Sequence, residues 1–236
     1  GIDFLASSWG FEWWDPETNE FNIDNEEMAQ ALEVMGEYVK MIGPDNLAGF
    51  RQVEGQGTWG GAYNMEVQAM IHEGYWHPGE TFNEKPDVAA NNRATWMFVS
   101  DARKGKKVTT SASHQIQWYK DAKVPADVAW KAGEFLVSDA HMDAVFKHVG
   151  WLCPYLPYIE KADPSVYPGL EFYFRSIKEY DEMPRWVTGS NPIGGFVRQE
   201  FNVWREKVYR DEMSGAEAAA EFHKACVQEW EEQGLD

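Results

Sequence analysis

Apolar positions recur at helical spacing in the first strong element of the chain. Met28, Leu32, Met35, Val39 and Ile42 fall on one face, which predicts an amphipathic helix over 24–42 packed on a sheet. Asp24 can cap it, with Glu27 three positions on, and Gly43-Pro44 stops it. Ahead of it, the run from Trp13 to Asn19 reads as a turn that carries aromatics. Alternation at Val67, Ala69 and Ile71 predicts a short strand ending at Glu73-Gly74-Tyr75-Trp76, and Trp96 to Val99 predicts a second. Residues 79 to 90 read as a short irregular helix, and Val108 to Tyr119 as extended chain. Pro125 suits the first turn of a helix to about Val137, and Ser138-Asp139 begins another to about His148. Two prolines keep the segment from Gly150 to Pro157 out of a regular helix. Helices follow at about 165–180, 195–211 and 214–232, the last opened by the capping box Ser214 to Glu217. The pattern predicts a mixed α/β protein with a helical C-terminal third, without internal repeats.

Charge narrows the partners. Lys+Arg is 21 against Asp+Glu 39, a formal net charge of −18. A duplex nucleic acid or an anionic membrane surface would be repelled. Hydrophobic residues make up 44% of the 236, enough for a real core in one large domain or two small ones. Two cysteines, Cys153 and Cys226, make neither a disulfide framework nor a metal cluster, and buried free thiols are the plainer reading. The chain opens Gly1-Ile2-Asp3-Phe4-Leu5, with no Met, basic region or cleavage site, and reads as a piece that begins mid-protein.

Catalytic signatures are missing. The sequence holds no Gly-x-Ser-x-Gly elbow, phosphate loop or His-Glu-x-x-His, and no Gly-x-Gly-x-x-Gly after a strand. His72 and His77 flank a Gly-Tyr-Trp turn without an evident third ligand, so no metal and no cofactor are expected. Carboxylates such as Glu12, Asp15 and Glu73 are plentiful, but a glycosidase needs two of them across a sugar, which a sequence does not display. The distinctive residue is tryptophan, with 12 copies. Many sit beside Gly, Pro or turn residues: Trp9, Trp13, Trp14, Trp59, Trp76 and Trp151. Rings on loops are more readily exposed, and ring faces stack on sugars or cations. At least two of this set are expected to line a cleft. Trp130 and Trp204 lie within helices and read as core or interface.

The order of segments resembles the extracellular solute-binding protein family 1 of ABC transporters, the maltose-binding-like sugar receptors. Four stretches carry the resemblance: Phe21-Asn-Ile-Asp-Asn-Glu-Glu-Met28 with the helix reaching Val39-Lys-Met-Ile-Gly-Pro-Asp45; Val67-Gln-Ala-Met-Ile-His-Glu-Gly-Tyr-Trp76; Lys107-Val-Thr-Thr-Ser-Ala-Ser-His114 leading to Ala129-Trp-Lys-Ala-Gly-Glu-Phe-Leu136; and Ser214-Gly-Ala-Glu-Ala-Ala-Ala-Glu221. The resemblance covers nearly the whole chain but begins well into the family's own. It implies an α/β, periplasmic-binding-protein-like II fold of two lobes, here mainly the second. Residues 1–103 and 155–236 would build that lobe, and 104–154 would be an excursion into the first, a strand plus two helices.

The same resemblance implies a site. Trp76, with Tyr75 beside it, matches the aromatic that stacks on sugar. Trp9 and Trp13 sit in the segment facing the cleft. Ser111, Ser113 and His114 follow the re-entry strand, where small polar groups meet ligand. Trp151 lies at the return crossing, and Phe196 near a late cleft aromatic. The implied function is the substrate-binding component of an ABC importer. It takes a carbohydrate between lobes by stacking and hinge closure, delivers it to a membrane permease, and works outside the cytoplasm as a periplasmic or cell-surface lipoprotein. A binding protein needs no nucleophile, and an acidic surface keeps it soluble. The competing readings are a carbohydrate-active hydrolase using paired carboxylates and a helical scaffold module. Without its own sheet, 104–154 would expose Val108, Ile116, Trp130, Phe135 and Phe146, so a two-fold dimer of the chain is expected to cover them, or the segment to be poorly ordered.

Overall fold

A computed structural model describes residues 1–50, 61–110, 118–119, 121–153 and 155–235. Twelve α-helices appear among them: α1 (Ile2–Trp9), α2 (Glu26–Ile42), α3 (Pro44–Phe50), α4 (Gly61–Asn64), α5 (His77–Glu84), α6 (Pro86–Ala89), α7 (Ala126–Leu136), α8 (Asp139–Val149), α9 (Leu156–Ile159), α10 (Leu170–Glu179), α11 (Gly194–Tyr209) and α12 (Gly215–Glu232). The described residues are 57% helical and 2% strand, without a sheet. The expected α/β, periplasmic-binding-protein-like architecture is therefore corrected to a mostly helical one. The reason lies in the backbone. A strand is stable only when a neighbour takes its N–H and C=O groups. Among the described residues the only pairings of that kind are two isolated bridges, Trp14 with Phe21 and Val108 with Glu182. The alternating stretch from Val67 finds no such partner and leaves Val67 and Met70 in solvent. The stretch from Trp96 to Val99 is extended chain outside any ladder.

The chain divides into two compact units. The first gathers Gly1–Gln52, Trp96–Ser111 and Tyr180–Asp236. Its frame is α2 packed on α11 and α12, with α1 against α2. Met28, Ala31 and Leu32 of α2 are buried in one cluster with Val197 and Phe201 of α11 and Ala218, Phe222 and Cys226 of α12, and Val39 is buried as well. The stripe from Met28 to Val39 thus packs on helices rather than on a sheet, while Ile42 at its end is exposed. Its N-cap is Asn25, whose side chain accepts from Met28 N at 2.7 Å, in place of the expected Asp24. The capping box of α12 forms in full, Ser214 accepting from Glu217 N and Glu217 from Ser214 N. Helix α1, whose Ile2, Leu5, Ala6 and Trp9 face the core at helical spacing, is also held by Asp3. This carboxylate is 3% exposed and accepts from Trp13 Nε1 at 3.0 Å, from the backbone N–H groups of Val187 and Thr188, and from the Thr188 hydroxyl. The bridge at Val108 is reinforced by Arg103, which pairs with Glu182 at 2.5 Å.

The second unit gathers Val53–Thr95 and Ala112–Glu179. Met142 and Phe146 of α8, Tyr158, Tyr167 and Leu170 form its buried cluster, with Leu152, Cys153, Tyr173 and Phe174 partly buried around it. Tyr167 donates its hydroxyl to the carbonyls of Phe146 and Lys147 near the end of α8. Both helices expected after Pro125 are present, α8 capped by Ser138. Of the segment 104–154, Lys104–Thr110 counts with the first unit, while 118–119, 121–153 and both helices count with the second. Phe146 is buried, whereas Trp130 and Phe135 of α7 are exposed; Ile116 lies outside the described residues. Cys153 and Cys226 are free thiols, and burial pushes the Cys226 thiol well up.

Candidate functional site

In the second unit the residues from Glu73 to Glu84 concentrate aromatic rings and buried polar groups. The chain turns at Gly74, where His77 N donates to the Gly74 carbonyl at 3.2 Å. The Trp76 ring folds back over Gly74, and a methyl at that position would overlap it. Tyr75 meets Trp76 edge to face, with centroids 5.2 Å apart. Both rings are half-buried. Trp76 is the N-cap of α5, and Pro78 fits the first turn, where its missing N–H costs nothing.

Helix α5 then presents His77, Glu80 and Thr81 inward, and all three are buried. His77 lies edge-on to Tyr63 at 5.0 Å, and Thr81 Oγ1 sits 3.4 Å from its Nε2. Tyr63 donates to Asn92 Oδ1 at 2.8 Å. Although a hydroxyl beside an imidazole suggests nucleophilic catalysis, Thr81 is 0% exposed, and the pair braces the helix. Glu80 accepts from Trp151 Nε1 at 2.7 Å through Oε1. The approach that permits this bond is made by the preceding residues, Gly79 and Gly150, which pack backbone to backbone.

Burial sets the electrostatics. The Glu80 carboxyl is raised above the ordinary carboxylate range, first by desolvation and further by Glu73 and Glu84, while the Trp151 indole opposes the shift. The His77 imidazole is lowered by burial. The Tyr75 phenol is raised by burial, and Tyr173 is pushed up to about 12 by burial and by the Glu73 carboxylate. Three side-chain atoms here are buried and unpartnered, the donors Trp76 Nε1 and Asn92 Nδ2 and the acceptor Glu80 Oε2. Among the described residues, no group of three His, Cys, Asp or Glu side chains gathers to hold a metal ion. In the same residues, no helix is long and apolar enough to cross a membrane.

The structure therefore places three of the sequence-derived residues, Tyr75, Trp76 and Trp151, around α5 and its Glu80. Three others belong to the core of the first unit. Trp13 is 1% exposed and spends its indole N–H on Asp3. Trp9 is buried, edge-on to Phe98 at 6.3 Å, and Phe196 packs partly buried against the same core. Ser111, Ser113 and His114 lie outside the described residues. Glu80 was not singled out from the sequence. One signal for it is visible in retrospect: its place four residues after Trp76, one helical turn on the same face.

No family matches. Neither a family model, nor a curated protein, nor a solved structure matches this chain.

Proposed function

We propose that this chain is a carbohydrate-binding component of an ABC importer, a relative of the solute-binding sugar receptors that acts outside the cytoplasm and hands its ligand to a membrane permease. The observation that carries this reading is the Tyr75–Trp76 ring pair at the mouth of α5, set beside the buried, unpartnered polar atoms Trp76 Nε1 and Glu80 Oε2. Half-exposed indole faces stack on the C–H faces of sugars, and hydroxyls satisfy polar groups that apolar ligands would leave orphaned. The site offers stacking and hydrogen bonding, and its one hydroxyl beside an imidazole, that of Thr81, is 0% exposed, which favours capture over turnover.

Titration calorimetry of the full chain against glucose, maltose, cellobiose, lactose and xylobiose tests the reading, beside an assay with chromogenic glycosides. Binding without turnover is expected. Trp76→Ala should weaken it about fivefold, the equivalent of a stacking contribution on the order of 1 kcal/mol. Glycoside cleavage that disappears in Glu80→Gln would replace this reading with a hydrolase. Undiminished affinity in Trp76→Ala would remove the site from α5.

A further inference from the structure

Helix α7 is apolar over most of its circumference, yet none of its 11 residues is buried. Val128, Ala132, Phe135 and Leu136 share one face by their spacing, and Trp130 lies on another. Val128, Trp130, Phe135 and the following Val137 are each at least 50% exposed. Within the helix only Ala129 and Gly133 are half-buried, and Phe135 meets His141 of α8 with ring centroids 5.6 Å apart. An isolated helix shorter than about 12–15 residues is marginal in water, and one that is apolar on most sides ordinarily lies inside a core. The single chain therefore leaves α7 without the cover that its sequence calls for. Trp118, Tyr119 and Val124, just ahead of it, are exposed as well. Together these side chains leave apolar surface on the order of 800 Å² in water, more than is usual for a patch on a monomer and close to one partner's share of a standard interface.

Charge indicates what covers it. The chain carries a formal charge of −18, so two copies repel each other over most of their surface. The stretch 122–137 is different: Lys123 and Lys131 balance Asp127 and Glu134, a net charge of 2 − 2 = 0. A second copy approaches this stretch without that repulsion, and a two-fold axis sets the same patch against itself. A basic partner would be drawn to the acidic surface elsewhere, and an anionic one is repelled. We propose that α7 is a homodimer interface and that its exposed face is covered by α7 of a second copy of this chain. Val128 and Phe135 lie at the centre of the contact, and Lys131 and Glu134 at its rim. The proposal does not depend on carbohydrate binding.

Sedimentation velocity of the full chain over a series of micromolar concentrations tests it. A dimer is expected. Val128→Glu and Phe135→Glu should each weaken it about 10-fold or more, because each places an unpaired carboxylate in an apolar contact. Both positions are exposed in the single chain, so the dilute, monomeric variants should keep the circular dichroism and melting temperature of the dilute wild type. Tyr38→Glu, at an exposed position of α2, should leave the dimer intact. A wild type that stays monomeric throughout overturns the proposal. So does a dimer that both α7 variants leave unchanged, or one that Tyr38→Glu weakens equally. If the dilute α7 variants melt lower than the dilute wild type, the chain covers α7 itself, and the proposal fails. It also fails if the wild type floats with phosphatidylcholine vesicles through α7 in place of forming a dimer.

Discussion

Gly79 in α5 and Gly150 at the C-terminus of α8 touch backbone to backbone, so that a methyl on either α-carbon would overlap the other. The next residue on each side completes the contact, Glu80 accepting from the Trp151 indole. Gly150 also has φ of +81°, a left-handed conformation that disfavours any side chain. Gly79→Ala and Gly150→Ala should therefore each cost about 2–4 kcal/mol, from overpacking and, at Gly150, backbone strain. Urea unfolding followed by tryptophan fluorescence measures this. A midpoint unchanged in both variants would mean that the two helices do not approach this closely.

The second prediction concerns Asp3. Its carboxylate is buried and serves an indole, two backbone amides and a hydroxyl. Asp3→Ala leaves these donors buried without an acceptor and should cost about 3 kcal/mol or more. Asp3→Asn keeps one carbonyl oxygen and should cost less. Thermal unfolding of the two variants beside the wild type gives the ranking, and equal losses would show that volume rather than hydrogen bonding matters there.

Glu80 predicts a pH signature. Burial raises its carboxyl in the folded state above the unfolded value of about 4.3. The folded chain then holds the proton more tightly than the unfolded one, so the penalty for an ionised Glu80 is felt above the folded value. It fades as pH falls through that value, and it is gone below the unfolded one. Glu80→Gln should consequently melt higher than the wild type at pH 7, and the gap should close by about pH 4. A gap that widens on acidification would reverse the assignment.

At the start of α12, Ser214 and Glu217 cap each other. Ser214→Ala should cost about 1 kcal/mol. Ser214→Asn should restore most of it, because Asn also accepts from the helix N-terminus, and circular dichroism during thermal unfolding reads both. A Ser214→Ala chain as stable as the wild type would show that α12 is held by packing alone.

Much of the helical content was legible locally. The stripe of α2, the cap at Ser138 and the box at Ser214 each rest on residues three or four apart, and an interaction of that range needs no tertiary partner to be recognised. Periodicity failed where it depended on one. Val67, Ala69 and Ile71 alternate like a strand, yet alternation only states which side chains share a face; whether a neighbouring strand accepts the backbone is decided elsewhere in the chain, and here it is not. Helix α1 is a short element that combines a local and a distant cause. Its Ile2, Leu5, Ala6 and Trp9 do fall at helical spacing, but over only eight residues, and Asp3 adds a hold that reaches residues near position 187.

Tryptophan shows the same division within one residue type. Neighbouring Gly, Pro and turn residues marked Trp13 and Trp76 alike as loop rings. The sequence alone determined that the chain is acidic, rich in indoles, built on amphipathic helices with local caps, and free of familiar catalytic motifs. Only the tertiary structure decided which indole became core and which kept an unspent N–H. Trp13 found a buried carboxylate ten residues away and was drawn inside. Trp76 stayed half-buried over Gly74, one turn from a carboxylate that Trp151 had already claimed on one side. The physical reason is that a ring buries readily by packing, whereas satisfying its N–H requires an acceptor whose position depends on how the rest of the chain folds around it.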